Sequence, residues 1–343
     1  MTADLQLRRV GLLGGGVIGA GWAARFLLHG VDVRLFDPDP GATAAVERTV
    51  SAARRAFGRL LDAPLPAEGS LVVVGSAEDA VAGAEFIQES APERLDLKRR
   101  LLAAADAVAD SSVVLASSTS GLRPSAMREG LRHPERVIAG HPFNPVYLLP
   151  LVEVCGNDAA VVERAAIVYR SVGMHPLVLA VEIDGFVADR LLEALWREAL
   201  WLVNDGVATT EQIDDAIRYG PGLRWSAMGT FLTYRLAGGE AGMRHFMEQF
   251  GPALQWPWTK LTDVPELTQE LIDRVVEQSD AQAGGSSVAE LSARRDDCLV
   301  AVLQALRSVD WGAGRVVAEH DRALAGRTGV SPEAASGGTA PPR

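Results

Sequence analysis

The chain has 343 residues, enough for two domains and more than one hydrophobic core usually spans. A net charge of -11 disfavours nucleic acid or an anionic membrane as partner, although a local cation could still hold a small anionic substrate. Cys155 and Cys298 make neither a metal spacing nor a disulfide framework, which suits reduced thiols in a cytoplasmic protein. The polar stretch Met1 to Arg9 leads straight into an apolar strand, not a signal segment, and no apolar run approaches the roughly 18 residues of a membrane span.

In chain order, Arg9–Leu13 is a short apolar run expected to form a buried parallel strand, and Val17–His29 follows with helical periodicity until Gly30. Val31–Phe36 is the next strand, ending at Asp37-Pro38, and Thr43–Leu61 is a long helix rich in Ala and Arg. Strands are expected at Leu71–Val74, Glu85–Gln88, Ser112–Ala116, Arg136–Ala139 and Leu148–Val154, with a helix at Leu95–Ala109. This alternation predicts an α/β domain of Rossmann type, a doubly wound parallel sheet, over residues 1–183. From Phe186 to Val203 a long amphipathic helix opens a helical second domain, 184–324, punctuated by Pro221, Pro252, Pro257 and Pro265. The tail, 325–343, is rich in Gly, Pro, Ser, Thr and Ala and is expected to lack order.

Gly14-Gly15-Gly16-Val17-Ile18-Gly19 fits G-x-G-x-x-G between a strand and a helix, the context that gives this string its meaning as a dinucleotide site. Gly14 allows the tight turn, Gly16 the approach of backbone to pyrophosphate, and Gly19 close packing of helix on strand. The N–H groups at Val17 and Ile18 open a helix whose positive end faces the phosphates. Asp37 ends the second strand, where a carboxylate bonds the adenosine ribose and repels a 2′-phosphate, so NAD is expected over NADP. Arg34, three residues earlier, should point to the opposite face of the strand.

Gly140-His141-Pro142-Phe143-Asn144-Pro145 follows a strand and precedes an apolar run with one charge, Glu153. An acid inside such a run is costly unless paired. Oxidising a hydroxyl needs a base for its proton, and a carboxylate on the other imidazole nitrogen would set the tautomer. His141 and Glu153 therefore make a candidate dyad, against the plainer alternative of a structural histidine and a strand-edge glutamate.

Those strings, with Ser118-Thr119-Ser120, Leu151-Val152-Glu153-Val154 and Gly185-Phe186-Val187-Ala188-Asp189-Arg190, resemble the L-3-hydroxyacyl-CoA dehydrogenase family. The resemblance implies NAD as cofactor, His141 as base, Glu153 as its orienting acid and Ser120 as a contact to substrate and histidine. It further implies that Glu93 and Lys98 lie near the nicotinamide ribose, that Asn144 shapes its turn, and that the chain forms a homodimer. Asp189 departs from the family, which usually has Asn there. The added negative charge fits a positively charged substrate better than an acyl-CoA thioester.

Further strings, Gly222–Ser226, Thr230–Gly239 and Gln255–Lys260, resemble members of the family that act on a small zwitterionic 3-hydroxy acid bearing a quaternary ammonium. Such a cation suits aromatic faces. Trp225, Trp256 and Trp258 are the candidates, with Asp189 as countercharge and Ser120 and Arg224 for the carboxylate. Core packing or a subunit contact is the ordinary role of any one tryptophan. The alternatives are an L-gulonate-type or 3-hydroxybutyryl-CoA-type member and, more distantly, a non-catalytic crystallin-like protein.

Overall fold

The computed structural model of the protein describes residues 7–226, 229–237, 246, 248, 266, 268–283 and 285–328. The chain divides into two compact units, Met1–Val187 with Asp296–Arg343, and Ala188–Arg295.

The first unit is built on β1 (Arg9–Leu13), β2 (Asp32–Phe36), β3 (Leu71–Val74), β4 (Phe86–Glu89), β5 (Val114–Ser117), β6 (Val137–Pro142), β7 (Leu151–Cys155) and β8 (His175–Val178). They form one sheet in the order β3-β2-β1-β4-β5-β6-β7-β8. Every neighbouring pair is parallel except β6 and β7. The doubly wound sheet expected from the alternation is present, and the antiparallel β6–β7 pair is its departure from a wholly parallel one.

The helices of this unit are α1 (Val17–Leu28), α2 (Ala42–Leu60), α3 (Ala77–Val81), α4 (Leu95–Val108), α5 (Pro124–Met127) and α6 (Ala159–Ser171). Residues of α1, α2 and α6 share one core, and those of α3, α4 and α5 share the other, on opposite faces of the sheet. β1 shows the alternation that this requires: Val10 and Leu12 enter the first core and Leu13 the second. β4, β5 and β6 are buried along their whole length, and the polar residues they carry, among them Gln88, Glu89 and His141, are buried with them.

The short helices α3 and α5, the helix α6 and the strand β8 were not expected. α6 begins at Asp158, whose carboxylate accepts the N–H groups of Ala160 and Val161 as an N-cap. β8 contains Pro176, a residue that argues against a central strand but is tolerated at a sheet edge, where β8 lies.

The helix Val288–Ser308 ends in the first unit and the helix Ala313–Thr328 lies wholly in it. Residues 296–324 were expected in the helical domain. Instead Val300, Leu303 and Val317 join the α1/α2/α6 core, and the Arg307 guanidinium donates to the Leu60 carbonyl at 3.0 Å. The last helix also continues past Ala325 to Thr328, into the segment expected to lack order; the remainder of that segment lies outside the described residues.

The second unit contains α7 (Ala188–Asn204), α8 (Thr210–Arg218), α9 (Pro221–Trp225), α10 (Thr230–Ala237) and the helix Gln269–Ala283. A capping box of Thr209 and Gln212 starts α8. Arg274 donates to the carbonyls of Val203 and Asn204 at 3.2 and 3.1 Å, satisfying the end of α7.

A buried histidine pair joins α1 to the last helix. His29 and His320 meet Nε2 to Nε2 at 2.6 Å, and His29 Nδ1 lies 2.6 Å from the Arg25 carbonyl. Nδ1–H of His29 must donate to that carbonyl, so one proton, on His320 Nε2, serves the Nε2 pair. Burial, with Arg25 and Arg327 nearby, lowers His29 to about 3 and His320 to about 2. The unfolded chain binds protons below about pH 6.5 while this pair does not, so stability falls as pH drops through that value. Between pH 7.5 and 5 each histidine should cost about 2 kcal/mol. Urea unfolding at the two pH values should show that loss in the wild type and little of it in a His29→Leu/His320→Leu variant. A wild type equally stable at both would contradict the neutral pair.

Candidate active site

The loop from β1 to α1 has the geometry that its glycines suggest. Gly14 takes φ +107°, and its N–H donates to the Phe36 carbonyl at 2.8 Å. A Cβ on Gly19 would collide with the Gly14 carbonyl oxygen, so helix and turn could not approach as they do. A Cβ on Gly16 would meet nothing within 4 Å, and no side chain caps the first turn of α1. The exposed start of α1 at Val17 and Ile18 therefore offers backbone N–H groups and open space, which fits a dinucleotide pyrophosphate.

Asp37 closes over this loop. Its Oδ2 accepts the Gly15 N–H at 2.6 Å and its Oδ1 accepts the Asp39 N–H at 2.8 Å. The carboxylate is thus held at the end of β2 beside the glycines, with acceptor capacity left for a ribose diol. Arg34 instead reaches the Ala82 carbonyl at 3.3 Å.

Glu93 sits on the loop after β4 and Lys98 at the start of α4, together with an acid that sequence reasoning missed. Lys98 is 1% exposed, and its Nζ lies 3.0 and 3.1 Å from the two Glu89 oxygens, 3.0 Å from the Ala91 carbonyl and 3.4 Å from Glu93. Glu89 is fully buried and also accepts from the Ser117 hydroxyl and the Ala91 N–H. Every partner that a buried carboxylate and ammonium need is present. Glu93 accepts from the Thr119 hydroxyl and from the N–H groups of Ser120 and Gly121 at 3.1 and 3.2 Å. Burial alone would raise the Glu93 carboxyl, but the Thr119 hydroxyl, the Lys98 ammonium and the Gly121 N–H outweigh it and hold it below its ordinary value. Ser120 is exposed in this loop, fastened through its backbone.

His141 and Glu153 stand directly opposite each other in the antiparallel β6–β7 ladder. His141 Nδ1 lies 2.9 Å from Glu153 Oε2, and the second oxygen, Oε1, accepts the Val187 N–H at 3.0 Å. The two side chains are 4% and 1% exposed as whole residues, so the pair operates out of water. Phe143 and Phe186 flank the imidazole with ring centroids 5.0 and 5.7 Å away. Asn144 is exposed in the turn beyond, at a cis bond to Pro145.

Two further groups support this strand. Buried Gln88 donates to the Gly140 carbonyl at 3.2 Å and to Ser118 Oγ at 2.8 Å, and it accepts from the Tyr169 hydroxyl at 2.7 Å. Arg25 of α1 donates to the carbonyls of Val146 and Leu149 at 2.8 and 3.4 Å, tying the loop after His141 to the helix after the glycines. Burial lowers the Arg25 guanidinium to about 9, which leaves it charged at neutral pH. A polar residue in the middle of an apolar run was the available signal for Arg25, whereas Gln88 lies beside Glu89 at the end of a short strand.

The expected substrate residues are placed differently. Asp189 lies in the first turn of α7, and Arg224 and Trp225 end α9, where Trp225 is 44% exposed; all three belong to the second unit. Trp256 and Trp258 lie outside the described residues.

With a glycine-loop nucleotide fold and a His–Glu pair on adjacent strands, the chain has the parts of a nicotinamide-dependent dehydrogenase. It belongs to the 3-hydroxyacyl-CoA dehydrogenase family: the profile of that family's NAD-binding domain matches residues 9–183 and that of its C-terminal domain matches residues 185–278. Its cofactor is NAD. The chain is 59% identical over 322 residues to L-carnitine dehydrogenase of Pseudomonas aeruginosa, covering 93% of this chain and 100% of that one. It is 56% identical over 321 residues to L-carnitine dehydrogenase/betainyl-CoA thioesterase of Agrobacterium fabrum, covering 94% of this chain but 66% of that longer one. Among solved structures, 5-formyl-3-hydroxy-2-methylpyridine 4-carboxylic acid 5-dehydrogenase, described as an NAD-dependent dismutase, superposes with a TM-score of 0.72. That match has 26% identity and covers 88% of this chain and 99% of the other.

The Asp37 geometry yields a test of cofactor choice. Asp37→Ala should weaken NAD binding and narrow the preference for NAD over NADP, by removing both the ribose acceptor and the negative charge that repels a 2′-phosphate. Comparing kcat/KM for the two cofactors checks this, and a wild type that uses both equally well would contradict the role given to Asp37.

Proposed function

We propose that this chain oxidises L-carnitine at its 3-hydroxyl carbon to 3-dehydrocarnitine, with His141 as general base and Glu153 as its orienting acid. The reading rests above all on the His141–Glu153 contact at 2.9 Å between facing residues of β6 and β7. The substrate is supported by the relatives at 59% and 56% identity, whose names include L-carnitine dehydrogenase.

Bound NAD supplies the hydride acceptor. The chain's own part is to move one proton and hold the charges that follow. With Nδ1–H donating to Glu153, the Nε2 lone pair of His141 takes the substrate hydroxyl proton. The imidazolium that forms is stabilised by the Glu153 carboxylate, itself held by the Val187 N–H. Ser120, on the loop that Glu93 fastens through the Ser120 N–H, orients the substrate. Glu93 and Lys98 act at the cofactor side of that loop, Lys98 through the buried ion pair with Glu89. The quaternary ammonium, which donates no strong hydrogen bond, is assigned to Trp225, Trp256 and Trp258 with Asp189 as countercharge, and the carboxylate to Ser120 and Arg224.

The working form is a homodimer. The second unit exposes Leu192, Trp196, Leu223 and Phe231 at 51%, 53%, 67% and 81%, and a partly open cavity of about 590 Å3 lies between α7 and α8. Exposed apolar side chains in this number favour a partner surface over water. Two free cysteines, Cys155 and Cys298, fit a reducing cytoplasm. Among the described residues no helix is long and apolar enough to cross a membrane.

An NAD-reduction assay with L-carnitine and with 3-hydroxybutyrate, which lacks the cation, tests the whole reading. L-carnitine should be turned over, and 3-hydroxybutyrate should be a far poorer substrate. His141→Ala should lower turnover by about 10²- to 10⁴-fold with NAD binding nearly intact. Equal efficiency on both compounds would remove the cation site and leave the dehydrogenase. Near-normal turnover in His141→Ala would remove the dyad.

A further inference from the structure

Among the described residues, Phe186 and Asp310 are the two non-glycine residues with left-handed backbone, and Phe186 stands beside the dyad. It takes φ +45°, and the preceding Gly185 takes φ +72°. Left-handed backbone is uncommon for a bulky residue and persists only where the surroundings hold it. Here they do. Phe186 is 1% exposed and packs with Ala139 of β6 and Cys155 of β7 in a small core of its own. Its ring lies 5.7 Å from the His141 imidazole, tilted by 35°. The Gly185 N–H donates to the Gly121 carbonyl at 3.4 Å, and the next residue, Val187, donates its N–H to Glu153 at 3.0 Å.

We propose that Phe186 is a positioning residue for the dyad: its buried ring and left-handed backbone deliver the Val187 N–H to Glu153 and wall the imidazole of His141. The inference rests on the proposed role of the dyad and deepens it. Ala139 lies two residues before His141 and Cys155 two residues after Glu153, and their register pairs them with each other. Phe186 therefore seats on the same two strands that carry His141 and Glu153. Without the ring the turn has no anchor in that seat, and the Val187 N–H is free to leave the carboxylate. A carboxylate that loses an N–H donor holds its negative charge less dispersed and binds the imidazolium more strongly. Such a dyad would take the proton and release it less readily.

The test combines rate profiles with a direct titration of His141. Phe186→Ala should lower kcat about tenfold, leave KM for NAD within about twofold, and move the acid limb of the rate profile up by about one pH unit. Phe186→Leu, which keeps an apolar anchor, should show a smaller change of the same sign. The 15N signals of histidine-labelled protein, with His141 assigned by its loss in His141→Ala, read the same shift without turnover. Cys155 does not interfere, because burial and then Glu182 push its thiol up to about 11. A His141 titration that moves upward in both variants supports the proposal. An unmoved titration in both overturns it, whatever the fall in kcat, and if the Ala variant fails to fold the Leu variant decides alone. Normal turnover in His141→Ala would instead overturn the dyad itself.

Discussion

The antiparallel pairing of β6 and β7 is the constraint on which the proposed chemistry depends, because it sets Glu153 across from His141 at 2.9 Å. Side chains on neighbouring strands share a face only in the correct register, and a slip of one residue would send Glu153 to the other side of the sheet. The pair is costly to bury, so the structure surrounds it with partners. One carboxylate oxygen takes the imidazole and the other takes the Val187 N–H. Gln88 holds the Gly140 carbonyl just before His141, and Arg25 holds the loop just after it. Each of these contacts limits how far the imidazole can move.

The cofactor side is built by a different logic. There the C-terminal ends of β1, β2, β4 and β5 converge, and backbone groups do most of the work. Gly16 leaves open space at the start of α1, Gly14 and Gly19 let the turn and helix close up, and Asp37 bonds the same loop. The buried Glu89–Lys98 pair anchors the loops after β4 and β5, through Ala91 and Ser117. Removing one partner of such a pair is expected to cost about 3–5 kcal/mol, since the other charge would stay buried. Ser118 links the two sides, accepting from Trp22 of α1 at 3.0 Å and from Gln88 at 2.8 Å.

Much of the fold was legible because strong local signals coincide with it. β1 and β3 have the bounds expected from their apolar runs, and the glycine string lies between strand and helix. The direction of β7 was not read from its residues, since an apolar run has no polarity of its own. It was available from the connection: Phe143–Pro150, 8 residues, is too short for the helical crossover that parallel strands need. β8 was hidden by Pro176, and the return of residues 296–328 to the first unit was hidden because periodicity reveals an apolar face without naming the surface it covers. In the site, Glu153 stood out as a lone charge, whereas Glu89, Gln88 and Phe186 needed tertiary contacts to acquire meaning. Trp225 is legible only as an aromatic residue, because its sequence neighbours do not say which ligand or surface meets it.

The proton's position on His141 tests the account most directly. With Glu153 ionised at 2.9 Å from Nδ1, the neutral imidazole must carry its proton there, leaving Nε2 as the base. The 15N spectrum of histidine-labelled protein at about pH 8, above the ordinary histidine range, should show His141 protonated at Nδ1, with that preference lost in Glu153→Gln. A neutral His141 protonated at Nε2 in the wild type would contradict the arrangement from which the proposed chemistry follows.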